Sequence, residues 1–324
     1  MERIRLGNTV FEGQNNVYLL QGEETVLVDA GVATEPTRTE LIDGLADHGV
    51  TPADVDRLFL THWHYDHSGL AGMIQQASGA TVHAHEADAP LIAGDEASLA
   101  EEHTRQQEML EAWQLPDGPR EELLSFLDGH ADLRGDPVDV TPFTGGDTFA
   151  VNGLEMEAVH LPGHAAGLTA FAVERDGRRE AFVGDAILPK YTPNVGGADV
   201  RVEAPLSQYT DSLVEIVERD WDRALPGHRD PIEDPAGRAR EILEHHRERT
   251  GNVVDVLERH GACDVWTVSH HLFGELETIH ILHGPGEAFA HLDHLERHGI
   301  VEHEATDYRL VADDPDLDAL FPSP

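Results

Sequence analysis

The stretch Val55-Asp56-Arg57-Leu58-Phe59-Leu60-Thr61-His62-Trp63-His64-Tyr65-Asp66-His67 decides how the rest of the chain is read. Val55 to Leu60 is a short, mostly apolar run of the kind that fills a buried strand. It passes directly into a loop holding His62, His64, Asp66 and His67. Four such side chains can leave one strand end only by diverging, His62 and His64 to one side and Asp66 and His67 to another. One tetrahedral ion rarely takes four ligands from a single loop, whereas two adjacent ions can divide them. With 22 His in 324 residues, a lone pair of histidines means little. His245-His246, His270-His271 and the set His291, His294, His298 therefore read as structural or solvated.

Working outward, Val17 to Leu20 and Thr25 to Asp29 read as strands joined at Gly22-Glu23-Glu24, and Thr37 to Asp47 has helical spacing. A helix over Gly69 to Gln76 and a strand over Thr81 to Ala84 follow. Glu86 to Leu133 changes rhythm: helices over Glu101 to Trp113 and Arg120 to Leu127 form an insertion expected to lie over one face of the sheet domain. Strands resume at Asp147 to Val151, Glu155 to His160, Leu168 to Glu174 and Glu180 to Val183, before a helix over Tyr209 to Glu218. The Pro- and Gly-containing loop from Pro226 to Pro235 divides residues 1–232 from a smaller domain, 233–324. Helices over Gly237 to His260, Val265 to Phe273 and Pro285 to His298, then strands Ile300 to Glu304 and Tyr308 to Val311, fit a winged-helix-like arrangement. The last residues, rich in Asp and Pro, read as frayed.

Three other loops complete the chemistry: Leu161-Pro162-Gly163-His164, Phe182-Val183-Gly184-Asp185 and Leu225-Pro226-Gly227-His228. In each, glycine precedes the candidate ligand, as a tight turn bringing backbone close to a site requires. Five His and two Asp are enough donors for two transition-type ions sharing one carboxylate.

On these residues, over roughly 5 to 232, the chain closely resembles the metallo-β-lactamase superfamily. The resemblance implies an α/β fold of αββα layers, with His62, His64 and His164 on one metal, Asp66, His67 and His228 on a second, and Asp185 bridging. It implies two divalent ions, zinc first, with iron or manganese as alternatives. Asp66 and Asp185 would be the carboxylates closest to the chemistry. Asp29 matches a position where relatives place a carboxylate that fixes a ligand histidine's tautomer; capping the Ala30-Gly31 turn is the plainer role. True β-lactamases depart from this pattern at the bridging carboxylate, so antibiotic hydrolysis is disfavoured. The resemblance extends to a branch with a winged-helix-like C-terminal domain, whose members include thioesterase-like proteins and endoribonucleases.

Composition narrows the partners. Asp and Glu number 62 against 22 Lys and Arg, a formal net charge of -40. The excess runs through every predicted element, which is the pattern of a whole surface adapted to molar salt, where the Debye length shrinks to about 3 Å. A cytoplasmic protein of a halophilic archaeon is the economical reading. Such a surface repels polyanions and anionic membranes. Cys263 is the single cysteine, which excludes a disulfide framework and a thiolate-rich metal site.

The expected activity is attack by metal-activated water on an ester or thioester carbonyl of a small or acyl substrate. Cleavage of single-stranded RNA is the alternative, and a non-catalytic metal-containing interaction protein the third. Lys190, the only lysine, stands five residues after Asp185 and is read as an anion contact, with Tyr191 and Asn194 as orienting groups. Trp63 and Tyr65 are expected to pack the ligand loop. The helix over 285–298 carries Arg297 beside Glu287, Asp293 and Glu296, poor equipment for a phosphate backbone. The small domain is thus expected to cover the rim of the site or to mediate a homodimer.

Overall fold

In a computed structural model, which describes residues 1–7, 13–312 and 315–322, two sheets pack face to face between helices. The first has six strands in the order β1(Glu2–Leu6), β2(Asn15–Gln21), β3(Thr25–Val28), β4(Arg57–Phe59), β5(Thr81–His85) and β6(Val140–Phe143). The second runs from β7(Thr148–Val151) through β8(Leu154–His160), β9(Thr169–Arg175) and β10(Arg178–Gly184) to β11(Arg223–Pro226). β3 to β6 are mutually parallel, as are β10 and β11, and the remaining neighbours are antiparallel.

Strand alternation sorts the side chains between layers. Tyr18, Val26, Val28, Phe59, Met156, Phe171 and Phe182 fill the space between the sheets. Their neighbours Val17, Leu19, Leu27, Leu58, Ala170, Ala181 and Val183 face the outer helices. These outer helices include α1(Glu35–Ala46), α3(Ala71–Ser78) and α7(Pro205–Arg219), while α2(Tyr65–Ser68) is a single turn just behind β4. This is the layered α/β fold expected from the sequence.

Two expectations are corrected. The region after β5 forms α4(Ala89–Ile92), α5(Glu96–Ala112) and α6(Asp117–Gly129), followed by β6, a strand the sequence reading did not include. Much of this insertion does not simply lie on the sheet domain. Leu110, Trp113, Leu115 and Leu123 join Val253, Val268, Leu292 and Leu295 in one core shared with the C-terminal helices. An insertion with so few apolar residues facing the sheets buries them where a second apolar surface is available.

The C-terminal region comprises α8(Pro235–His260), α9(Val265–Phe273), α10(His280–Arg297) and the hairpin β12(Val301–Glu304)–β13(Asp307–Leu310). α10 starts five residues before Pro285, because Ile281 and Leu282 are buried and their burial offsets the hydrogen bond that proline removes. The tail is not frayed throughout: Leu317–Leu320 form a short 3₁₀ turn and Phe321 packs on His294. Residues 313, 314, 323 and 324 lie outside the described part. Among the described residues no helix is long and apolar enough to cross a membrane.

Candidate metal centre

All seven expected ligands meet at one edge of the sandwich. His62 and His64 follow β4, Asp66 and His67 lie in α2, His164 follows β8, Asp185 follows β10, and His228 follows β11. His62 Nε2 and His164 Nε2 lie 2.9 and 3.1 Å from His64 Nδ1. His228 Nε2 is 3.3 Å from both Asp66 Oδ2 and Asp185 Oδ2. His67 Nε2 is 3.6 Å from Asp185 Oδ1 and 3.8 Å from Asp66 Oδ2. Asp185 also reaches to within 3.8 Å of His164 Nε2, so it lies between the two groups.

The far nitrogen of each imidazole identifies the lone pairs. His62 Nδ1 faces the Thr61 hydroxyl, which itself donates to Asp29. His64 Nε2 faces the Ala198 carbonyl, His164 Nδ1 that of Asn194, and His228 Nδ1 that of Gly13. His67 Nδ1 lies 2.8 Å from Asp29 Oδ2. With those protons directed outward, the inward nitrogens of His62, His64 and His164 are lone pairs converging within hydrogen-bond distance, an arrangement only a cation relieves. His67 Nε2, His228 Nε2 and Asp185 Oδ1 are buried without a hydrogen-bond partner. The donor set therefore fits divalent metal ions.

The two groups differ electrically. Burial and the adjoining imidazoles push His62 down, and push His64 down to about 4. Burial acts the same way on His67 and His228, but Asp185 and Asp66 outweigh it and raise both, His228 to about 10. Burial opposes ionisation of Asp185, yet His228 and His67 hold it well below the usual carboxylate range. The carboxylate half thus draws positive charge.

The loops are held by their backbones. Asp29 takes the left-handed conformation, φ 61°, that aspartate tolerates, and accepts from Thr61 N at 2.8 Å. Asp29 thus stands between the Thr61 backbone and His67 Nδ1, where a carboxylate that fixes a histidine tautomer would stand. Gly227 has no room for a side chain: a Cβ there would stand 2.4 Å from His67 Cε1 and 2.6 Å from Asp185 Oδ1.

Three residues that sequence reasoning missed brace the same loops. Asp88 accepts from Trp63 N at 3.1 Å and Gly167 N at 3.0 Å. Asp199 accepts from Ala166 N at 2.9 Å and the Trp63 indole at 3.1 Å. Arg201 joins the two carboxylates at 2.7 and 2.6 Å. One guanidinium shared by two buried acids leaves them unequal: burial pushes Asp88 up to about 6, while Arg201 holds Asp199 down against burial. Isolated acids in loops carry no spacing signal, so no sequence pattern marks them.

Above the ligands lies a cavity of about 270 Å³. His64, Asp66, His164 and Asp185 border it at the metal end, and Leu99, Leu124, Leu127, Leu188, Val200 and Leu282 supply apolar wall. Trp63 and Tyr65 border it as well as packing the ligand loop. Lys190 and Tyr191 do not: both are exposed, with the ammonium over the tyrosine ring at 5.1 Å. The structure does not bring them to the cavity, because the loop turns outward between Leu188 and Pro193, both of which border it. Asn194 borders the cavity, but its amide is engaged elsewhere. Its Nδ2 donates to Glu287 Oε2 at 3.1 Å and to His283 O at 3.0 Å, and its Oδ1 accepts from Gly197 N.

Comparison with known proteins agrees with the site. The profile of the metallo-beta-lactamase superfamily matches residues 10–228.

The chain belongs to the metallo-β-lactamase superfamily.

Among curated superfamily proteins it is 27% identical over 301 residues to the probable metallo-hydrolase YqjP of Bacillus subtilis, covering 90% of this chain and 91% of that one. It is 24% identical over 253 residues to an atrochrysone carboxyl ACP thioesterase of Passalora fulva, covering 78% of this chain and 59% of the thioesterase. A solved superfamily structure from Thermus thermophilus superposes with a TM-score of 0.80 at 28% identity, over 96% of this chain and 98% of that one. Superfamily membership supports a hydrolase, and the fold implies divalent metal ions, usually zinc.

Proposed function

We propose that the protein hydrolyses an ester or thioester of a small, largely apolar acyl group, using two divalent ions, zinc before iron or manganese. The observation that carries this reading is the cavity: one end is bordered by metal ligands and the walls are mainly apolar. His62, His64 and His164 would hold one ion, Asp66, His67 and His228 the other, with Asp185 between them. When bound, such ions acidify water to a near-neutral pKa and polarise a carbonyl. The chain's own part is to fix the ligand tautomers through Thr61, Ala198, Asn194, Gly13 and Asp29, and to shelter the acyl group from water. Hydrolysis breaks the acyl C–O or C–S bond, adds the water oxygen to the acyl carbon and returns a proton to the leaving alcohol or thiol. The thioesterase among its relatives supports the class of bond.

Single-stranded RNA is the second reading, favoured by the branch resemblance and opposed by the cavity. Among the described residues Arg134 is the one Lys or Arg bordering it, too little cation for a polynucleotide. We place the protein in the cytoplasm of a halophilic archaeon, with a small-molecule substrate, no membrane partner and a nucleic-acid partner disfavoured by its charge. The C-terminal helices, winged-helix-like, serve as rim cover or as a homodimer contact.

The test is a panel of acyl thioesters, lactones, phosphodiesters and short RNA at molar salt, with metal content measured by mass spectrometry. Two ions per chain and turnover confined to the acyl substrates are expected. Asp185→Asn should lower turnover at least a hundredfold with the fold intact. Turnover of RNA alone, or full activity in Asp185→Asn, overturns the proposal.

A further inference from the structure

The cavity wall carries a cation that hydrolysis itself does not require. Arg134 lies just behind α6 and borders the same space as the metal ligands. In a chain with 62 acidic residues it forms no ion pair within 4 Å among the described residues. Its Nη2 donates to the Tyr65 hydroxyl at 3.2 Å, and its guanidinium carbon stands 5.6 Å from that ring's centroid. Its Nε is buried and has no partner. Tyr65 sits between His64 and Asp66 in sequence, so it links this cation to the metal end of the cavity.

A half-buried guanidinium with unused donors recognises an oxyanion. The other charged groups on this wall restrict which one. Asp128 borders the cavity beside Glu102 and would repel a dianionic phosphate more than a carboxylate. Glu102 makes no ion pair with Arg134, and burial pushes its carboxyl up to about 7, so near neutrality much of it carries no charge to cancel the guanidinium. The histidines His103, His130 and His283 and the amide of Gln106 also border the cavity.

We propose that Arg134, positioned by Tyr65, is a specificity residue that binds a carboxylate on the far end of the acyl group whose carbonyl lies at the metal centre. The substrate class is then an ester or thioester of a dicarboxylic acid, with an apolar spacer between its two ends. This rests on the hydrolase reading above and adds to it the identity of the acyl end.

The test compares hexanoyl- and adipoyl-N-acetylcysteamine thioesters, which share a neutral leaving group and differ in the end of the acyl chain. With metal-loaded protein at one fixed molar salt concentration, kcat/KM should favour the adipoyl compound at least tenfold. Arg134→Gln should remove that preference, raising KM for the adipoyl compound at least tenfold more than for the hexanoyl compound, and Arg134→Lys should restore part of it. Equal turnover of both compounds by the unaltered protein, or equal losses for both in Arg134→Gln, overturns the inference while leaving the hydrolase reading in place. If neither compound turns over, the thioester reading fails, and calorimetry with adipate and hexanoate decides the subsite separately. Tighter binding of adipate, lost in Arg134→Gln, supports it, and equal binding of the two acids overturns it.

Discussion

Two buried carboxylate networks support the ligand loops, and they work at different distances. In the sheet domain, Asp88 and Asp199 share Arg201 and accept directly from the backbone next to His62, His64 and His164. In the C-terminal helices, Glu287 pairs with Arg249 at 3.1 Å and lies 3.8 Å from both His246 and His291. His246, Glu287 and His291 are grouped closely enough to suit a cation, but Arg249 already neutralises the carboxylate. Glu287 reaches the centre only through Asn194 and Val195 N, and Asn194 in turn holds His164. The first network clamps two loops at once; the second steadies one ligand from across the join. A carboxylate can therefore matter to a metal centre through main-chain contacts alone, with no atom on the metal.

The largest effect should come from breaking the direct clamp. Asp88→Ala removes one acid of a buried, paired set, and denaturant unfolding should show a loss of about 3–5 kcal/mol. A loss below about 1 kcal/mol would mean that the loops hold themselves. Glu102 sharpens the comparison as a half-buried acid with no arginine within ion-pair distance. Its folded pKa, about 7, exceeds the ordinary value of 4.5, so its ionisation costs stability from about pH 4.5 upward, fully above about pH 7. Glu102→Gln should then be more stable than the unaltered protein at pH 8, by up to about 3 kcal/mol, and equal to it at pH 4. Unfolding curves at both pH values check the sign.

The indirect network predicts a smaller change. Glu287→Gln should weaken metal binding about tenfold, measured by chelator competition, while stability falls less than in Asp88→Ala. Unchanged metal affinity would separate the C-terminal helices from the centre. Lys190→Ala is the smallest, within about 0.5 kcal/mol in stability and with unchanged KM, as befits an exposed side chain. A raised KM would return Lys190 to the substrate.

The seven candidate ligands were legible because their segments come directly after strands and each late one follows a glycine. Those are local demands, which leave marks in sequence: Gly227 is required by the closeness of His67 and Asp185. The braces were not legible, since Asp88, Asp199 and Glu287 act over long sequence separations and look like any other acid among 62. Helix pairing was invisible for the same reason. Nothing in the pattern of Trp113 or Leu123 says that its partners are Val268 and Leu292 rather than the sheets. Lys190 misled by rarity, a compositional fact with no spatial content.

The shared core of insertion and tail has a consequence for how the protein can be altered. Trp266 N donates to Trp113 O at 3.0 Å and Thr278 N to Glu122 at 2.9 Å, so backbone bonds as well as apolar packing join these segments. Truncating the chain after β11 would strip the roof from the cavity along with the tail. The shape of the cavity and retention of residues 233–324 are then a single inherited trait, not two.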